Sequence, residues 1–284
     1  MVDQSLADFE GLPFTKMTAS GNDFILINNF EGRIRPDIAS SLAQKLCRRA
    51  LSVGADGLIL LERPRLSEAC FAWRFFNADG SEAEMCGNGG RCAARFAVAE
   101  GICAEKLAFE TLAGVIKAEV KDRLVKIQLT PPKDLCLEEE IHLSKGPLKI
   151  SFVNTGVPHV VVLLSPEELE NLAVKALGQE IRHHEAFKPA GANVNFVASL
   201  GPQKIAVRTY ERGVEGETLA CGTGATAAAL ISALKGLVTP PVEVVTRGGE
   251  ILKIYFDLQE PEVVFLEGEA RFVYRARLAA EALE

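Results

Sequence analysis

The sequence predicts a mixed α/β protein of two pseudo-symmetric domains, and three observations carry that expectation. Short, β-branched apolar runs alternate with helical stretches that several times open on Ser or Pro and close on Gly. Residues 82–94, EAEMCGNGGRCAA, recur as residues 217–229, ETLACGTGATAAA, about half a chain later. Adjacent prolines, Pro131 and Pro132, interrupt the chain near its midpoint, where they would break a strand and mark a junction.

In chain order, strands are expected at FILINN (24–29), LILLE (58–62), CFAWRFF (70–76), VKIQL (125–129), HVVVLL (159–164) and VNFVA (194–198). Helices are expected at 36–50, 91–101, 165–181 and 225–236. The domains are accordingly placed at 1–130 and 131–269.

Composition narrows the function classes. With 48% hydrophobic and 24% charged residues, the chain has ordinary globular content and no low-complexity segment. A net charge of −7 with scattered Lys and Arg argues against nucleic acid as a partner. The opening MVDQSLADFEGLPF carries acidic residues where a signal peptide needs a basic stretch and an apolar run, and no later run approaches membrane-spanning length. A cytoplasmic protein without a membrane partner is the expectation. Seven cysteines in such a chain should be mostly free thiols, and neither they nor the four histidines show zinc-site spacing, so no metal is expected.

The repeat carries the chemistry. Each copy has Glu four places before a cysteine, then Cys-Gly-x-Gly, then a small-residue helix, and each follows a strand with Arg and an aromatic residue. Cys86 and Cys221 would therefore each sit at a helix start, where unpaired backbone N–H groups and the helix dipole favour thiolate, unless apolar burial reverses the shift. The glycines let a ligand carboxylate approach those N–H groups. Two such elements facing one another would hold a carboxylate with a sulfur on either face of the adjacent carbon, the arrangement stereoinversion by acid and base requires. Cys47, Cys70, Cys92, Cys103 and Cys136, which lack these repeated neighbours, are read as packing residues. His159, between a turn and an apolar strand, is read from its position as a structural histidine, and His183 and His184 as solvated surface.

The segments FTKMTASGNDFILINN (14–29), VGADGLILLE (53–62), FFNADGSEAEMCGNGGRCAARF (75–96), NTGVPHVVV (154–162), ANVNFV (192–197) and RTYERGVEGETLACGTGATAAA (208–229) together closely resemble the diaminopimelate epimerases. These are PLP-independent enzymes of lysine and peptidoglycan biosynthesis. The resemblance implies two α/β domains, each a sheet wrapped around a central helix, with the active site in the cleft and the C-terminal strand (270–284) returning to the first domain. It implies cofactor-free interconversion of LL- and meso-2,6-diaminoheptanedioate by a homodimer, with Cys86 and Cys221 as catalytic acid and base. It carries substrate contacts onto Asn22, Asn77, Gly87, Asn88, Asn193, Glu211, Arg212, Gly222 and Thr223, and thiol tuning onto His159 and Glu211. Three positions depart from the family pattern: Val157 stands where many members have Asn, Gly57 where some have Gln, and Leu266 where some carry an interface Tyr. Other amino acids (proline, hydroxyproline, glutamate) as substrate, and a redox sensor pairing Cys86 with Cys221, are the alternative readings.

Overall fold

The computed structural model describes residues 5–284; the first four residues of the segment inspected for a leader lie outside them. The chain divides into two compact units, one running up to Ile127 and completed by Glu269–Glu284, the other spanning Gln128–Gly268. Among the described residues no helix is long and apolar enough to cross a membrane.

The first unit contains β1 (Pro13–Ala19), β2 (Asn22–Asn28), α1 (Pro36–Leu46), β3 (Gly57–Glu62), β4 (Phe71–Asn77), β5 (Glu82–Ala83), α2 (Gly87–Ala99), β6 (Lys106–Thr111), β7 (Gly114–Lys121) and β8 (Leu124–Gln128). The second contains β9 (Lys133–Leu143), β10 (Gly146–Asn154), β11 (Pro158–Leu164), α3 (Pro166–Glu170), α4 (Val174–Arg182), β12 (Asn193–Gly201), β13 (Lys204–Glu211), β14 (Gly216–Thr218), α5 (Gly222–Leu234), β15 (Val242–Val245), β16 (Ile251–Tyr255) and β17 (Phe265–Glu269). The last strand, β18 (Arg271–Arg277), pairs antiparallel with β1 and so belongs to the first unit.

The two ladders repeat one pattern. In the first unit β1 and β2 are antiparallel, β2 and β3 parallel, β3 and β4 antiparallel, and β4 pairs both with the short β5 and, in parallel, with β6. In the second, β10 and β11 are antiparallel, β11 and β12 parallel, β12 and β13 antiparallel, and β13 pairs with β14 and, in parallel, with β15. The parallel pairs require helical crossovers, which α1 and α2 supply in the first unit and α3 with α4, and then α5, supply in the second.

Each unit wraps its strands around a buried helix. Along α5 every residue from Gly224 to Ala233 is buried, and along α2 Asn88 to Ala94, Phe96 and Ala97 are. Only helices built from Gly, Ala and other small residues can be packed so closely on most sides. Alternation along β2 splits its side chains between two layers: Ile25 and Ile27 pack with Leu42, Ala43 and Leu46 of α1, leaving Phe24 and Leu26 on the opposite face. In the second unit Val160, Val162, Val194, Phe196 and Tyr210 form the core beneath α4.

Four expectations are corrected. The helix expected over 165–181 is two, because Arg208 Nη1 donates to the carbonyls of Leu169, Glu170 and Leu172 at 2.8, 3.3 and 3.1 Å and so terminates α3. The helix expected over 36–50 stops at Leu46, and Ala50 takes a left-handed conformation with φ of 64°. The helix expected at 91–101 begins at Gly87, so the glycine-rich segment is itself the first turn. Cys70 and Cys103 are not free packing residues: they form a disulfide, with Cα atoms 5.9 Å apart, that ties the chain entering β4 to the turn after α2. Cys47, Cys86, Cys92, Cys136 and Cys221 are thiols outside any disulfide.

Candidate active site

Both repeated cysteines are helix N-caps. Cys86 has the extended backbone of a cap residue (φ −144°, ψ 117°), and its Sγ accepts from the N–H of Gly89 at 3.4 Å. Cys221 has nearly the same backbone (φ −130°, ψ 111°), and its Sγ lies 3.5 Å from Thr223 Oγ1. The thiols thus occupy equivalent places on the two central helices.

The repeated Glu and Arg pair with one another. Glu82 accepts from Arg74 Nε and Nη2 at 2.7 and 3.0 Å, and Glu217 accepts from Arg208 Nε and Nη2 at 2.7 and 2.9 Å. These bidentate clamps fasten β5 to β4 and β14 to β13, fixing the segments that lead into the two caps. The sequence showed both residue types in both copies, with one extra residue between them in the second, without showing that they meet.

On the Cys86 side the amides of Asn22 and Asn88 sit within a network of charged groups. Asn22 Nδ2 donates to Asp56 at 2.9 Å and its Oδ1 accepts from Asn88 Nδ2 at 2.7 Å, while Asn88 Oδ1 accepts from the buried Arg91 at 3.0 Å. Asp56 is held in turn by Arg49, at 2.7 Å, which also pairs with Asp23. Arg49 and Lys16 pull the Asp23 carboxyl below its ordinary value against the opposing effect of burial. Asp56, Arg49 and Asp23 were missed in the sequence, although the SGND and GADG segments contained two of them. Asn77 ends β4, its Nδ2 donating across the following turn to Ser81 Oγ at 3.0 Å.

Around Cys221 the neighbours are ionisable. Asn193 Oδ1 accepts from the backbone N–H of Arg212 at 2.8 Å. Burial pushes the Glu211 carboxyl up from its ordinary value, opposed by the Thr218 hydroxyl. His159 is completely buried, contacts Asn195 Nδ2 through Nδ1 at 3.1 Å, and is pushed down to about 3 by burial and the Arg212 charge. The Cys221 thiol is pushed up to about 12, first by burial and then by Glu211, with the Thr223 hydroxyl and the N–H groups of Gly224 and Thr223 opposing. This reverses the thiolate expected there from the helix start, because desolvation outweighs the dipole. Thr155 Oγ1, bonded to the Thr223 carbonyl at 2.9 Å, anchors the same helical turn. His183 faces Glu215 at 3.6 Å, whereas His184 caps a short turn by accepting from the Ala186 N–H.

Folding therefore opposes protonation of His159. The unfolded chain takes up a proton near pH 6.5 that the folded chain refuses until about 3, so this contribution to stability is whole above 6.5 and is lost as pH falls toward 3. Urea unfolding of wild type and His159→Gln should diverge in pH slope below 6.5, by at most about 1.4 kcal/mol per pH unit. Parallel slopes would contradict this.

The family model for diaminopimelate epimerase matches residues 14–133 and 151–273. The diaminopimelate epimerase of Aquifex aeolicus is 51% identical, over 96% of this chain and 100% of that protein. That of Hydrogenobaculum is 48% identical, over 94% of this chain and 98% of its own length. The chain belongs to the diaminopimelate epimerase family. It is an isomerase of that group. The fold is shared with a PhzF-family phenazine biosynthesis protein from Bacillus anthracis (TM-score 0.69, 15% identity, covering 94% of this chain and 98% of that one). It is shared as well with a hydroxyproline epimerase from Agrobacterium vitis (TM-score 0.63, 16% identity, covering 94% and 92%).

The three departures from the family pattern resolve differently in this epimerase. A Cβ on Gly57 would lie 2.4 Å from the Phe75 ring and 2.7 Å from the Phe76 carbonyl, so the aromatic ring occupies the space a longer side chain would need. Parallel pairing sets Phe24 opposite Gly57 and His159 opposite Asn193, so Val157, two residues before His159, is the counterpart of Asn22. Leu266 is sealed in the core of the second unit opposite Ile254, which removes it from any surface contact.

The glycines at the two caps are unequal. A Cβ on Gly224 would lie 2.3 Å from Asn195 Oδ1, whereas on Gly89 it would meet nothing nearer than the Ile59 and Trp73 side chains, at 3.2 and 3.3 Å. Gly224→Ala should lower stability by about 1–3 kcal/mol through overpacking. Gly89→Ala should be near neutral, because up to about 1 kcal/mol of helix propensity offsets the squeeze. Equal melting temperatures for the two variants would refute this account.

Proposed function

We propose that this epimerase interconverts LL- and meso-2,6-diaminoheptanedioate without a cofactor, using Cys86 and Cys221 as the acid and base pair. The observation that carries the reading is the placement of two reduced thiols as N-caps of equivalent buried helices, within one repeated strand order, in a chain of this family.

Inversion breaks the α-carbon to hydrogen bond at one thiolate, which becomes a thiol, and makes a new bond on the opposite face from the other thiol, which becomes a thiolate. Atoms and charge balance, and the reverse reaction exchanges the roles. The carboxylate beside that carbon takes up enolate-like charge, which the backbone N–H groups at Gly87, Asn88, Gly222 and Thr223 would stabilise. The raised titration of Cys221 suits a thiol that delivers the proton in one direction. Asn22, Asn77, Asn88 and Asn193, with Arg212 and Glu211, offer the donors and acceptors that a substrate with two zwitterionic heads requires. His159 and Glu211 shape the electrostatics at Cys221. The same reading makes the protein a cytoplasmic homodimer feeding lysine and peptidoglycan synthesis, which sedimentation and fractionation would check.

Incubation with LL-diaminopimelate in deuterated water decides the reaction. Meso product carrying α-deuterium is expected. Absence of both product and exchange, or faster turnover of proline, hydroxyproline or glutamate in the same panel, would overturn the assignment.

A further inference from the structure

Asn195 borders the Cys221 cap and fixes the state of a residue that the proposed reaction uses. It lies on β12, and its Oδ1 and the Cβ of Cys221 bound the same small space above Gly224. Its amide can be oriented only one way. Nδ2 donates to the Val160 carbonyl at 3.0 Å, and Oδ1 accepts from Thr209 Oγ1 at 3.0 Å; the opposite setting would put two oxygens face to face at Val160.

The second hydrogen on Nδ2 is then directed along the 3.1 Å contact to His159 Nδ1. Nδ1 must accept, and the ring proton resides on Nε2. That Nε2 is buried and meets no partner among the described residues. A buried donor without a partner is uncommon enough to point to a group that joins it later. The register next to Asn193 and the nearby Arg212 charge make an anionic oxygen the fitting acceptor.

We propose that Asn195 is a positioning residue that locks His159 as a neutral Nε2–H donor for a substrate carboxylate, so that His159 takes no proton from Cys221. The acceptor's identity rests on the epimerase reading; the tautomer does not.

Nitrogen-15 NMR of the histidine-labelled full-length protein at pH 7 reads the tautomer without turnover, with His159→Gln assigning the signal. A neutral ring protonated on Nε2 is expected, with its proton moving downfield when diaminopimelate is added. In Asn195→Asp a carboxylate faces Nδ1, so the proton should move to Nδ1 or the ring should become imidazolium. In Asn195→Ala both ring forms should appear, and KM should rise by the inverse of the Nε2–H fraction, about twofold where the two forms are equally populated, with a smaller change in kcat. A wild-type ring protonated on Nδ1, an imidazolium at pH 7, or an Asn195→Ala ring and KM unchanged from wild type would overturn the proposal. Absent deuterium exchange alongside the expected tautomer would instead fault the epimerase reading.

Discussion

Replacing either cap thiol by serine should abolish most epimerisation while leaving the fold in place. Each substitution removes one member of an acid and base pair, a contribution of roughly 10²- to 10⁴-fold in rate. Serine keeps the size and a cap acceptor, so the helix starts should survive. The informative measurement is isotope exchange. If the reading is right, each single variant retains slow α-proton exchange from the one isomer whose proton faces the surviving thiol, and the two variants retain it for opposite isomers. Full inversion in either variant would eliminate the two-thiol mechanism. Loss of a redox response with inversion intact would favour the sensor reading.

The disulfide carries the largest expected effect on stability. Cys70 and Cys103 are 33 residues apart in sequence, and closing a loop of that size lowers the entropy of the unfolded chain by an amount worth roughly 3 to 4 kcal/mol. Cys70→Ala with Cys103→Ala should lower the melting temperature by about 10 °C. A reductant should reproduce the shift in wild type and leave the double variant unmoved. Thiol titration of the unfolded, unreduced protein should find the five free cysteines, rising to seven after reduction. An unchanged melting temperature, or seven thiols before reduction, would remove the bond from the account.

The elements that were legible in the sequence are those whose signal is local. The apolar runs of β2, β3 and β11 and the small-residue helices α2 and α5 could be read because both faces of the strands and most sides of the helices are buried. The hairpin of β9 and β10 could not: along Lys133–Leu143 almost every side chain is exposed, so LCLEEEIHL shows no alternation. The split between α3 and α4 depends on Arg208, some forty residues away, and the disulfide on a pairing across 33 residues. At the candidate site the repeated cysteines announced themselves by their shared neighbours. The state of Cys221 did not, because the burial that sets it comes from the surrounding fold while the helix start is visible in the sequence. Asn195 and Asp56 lay inside quoted motifs but became meaningful only through the groups they touch.

The repeated ladder is symmetric in its frame and asymmetric in its lining: Phe24 answers His159 and Gly57 answers Asn193. An enzyme that runs between two stereoisomers must obey the Haldane relation, so at every pH the ratio of kcat/KM in the two directions equals the equilibrium constant. The lining cannot shift that ratio. It can raise or lower both directions together, or change how each divides its barrier between capture and turnover, so unequal half-sites should surface as forward and reverse kcat profiles that titrate differently while their kcat/KM profiles keep one shape.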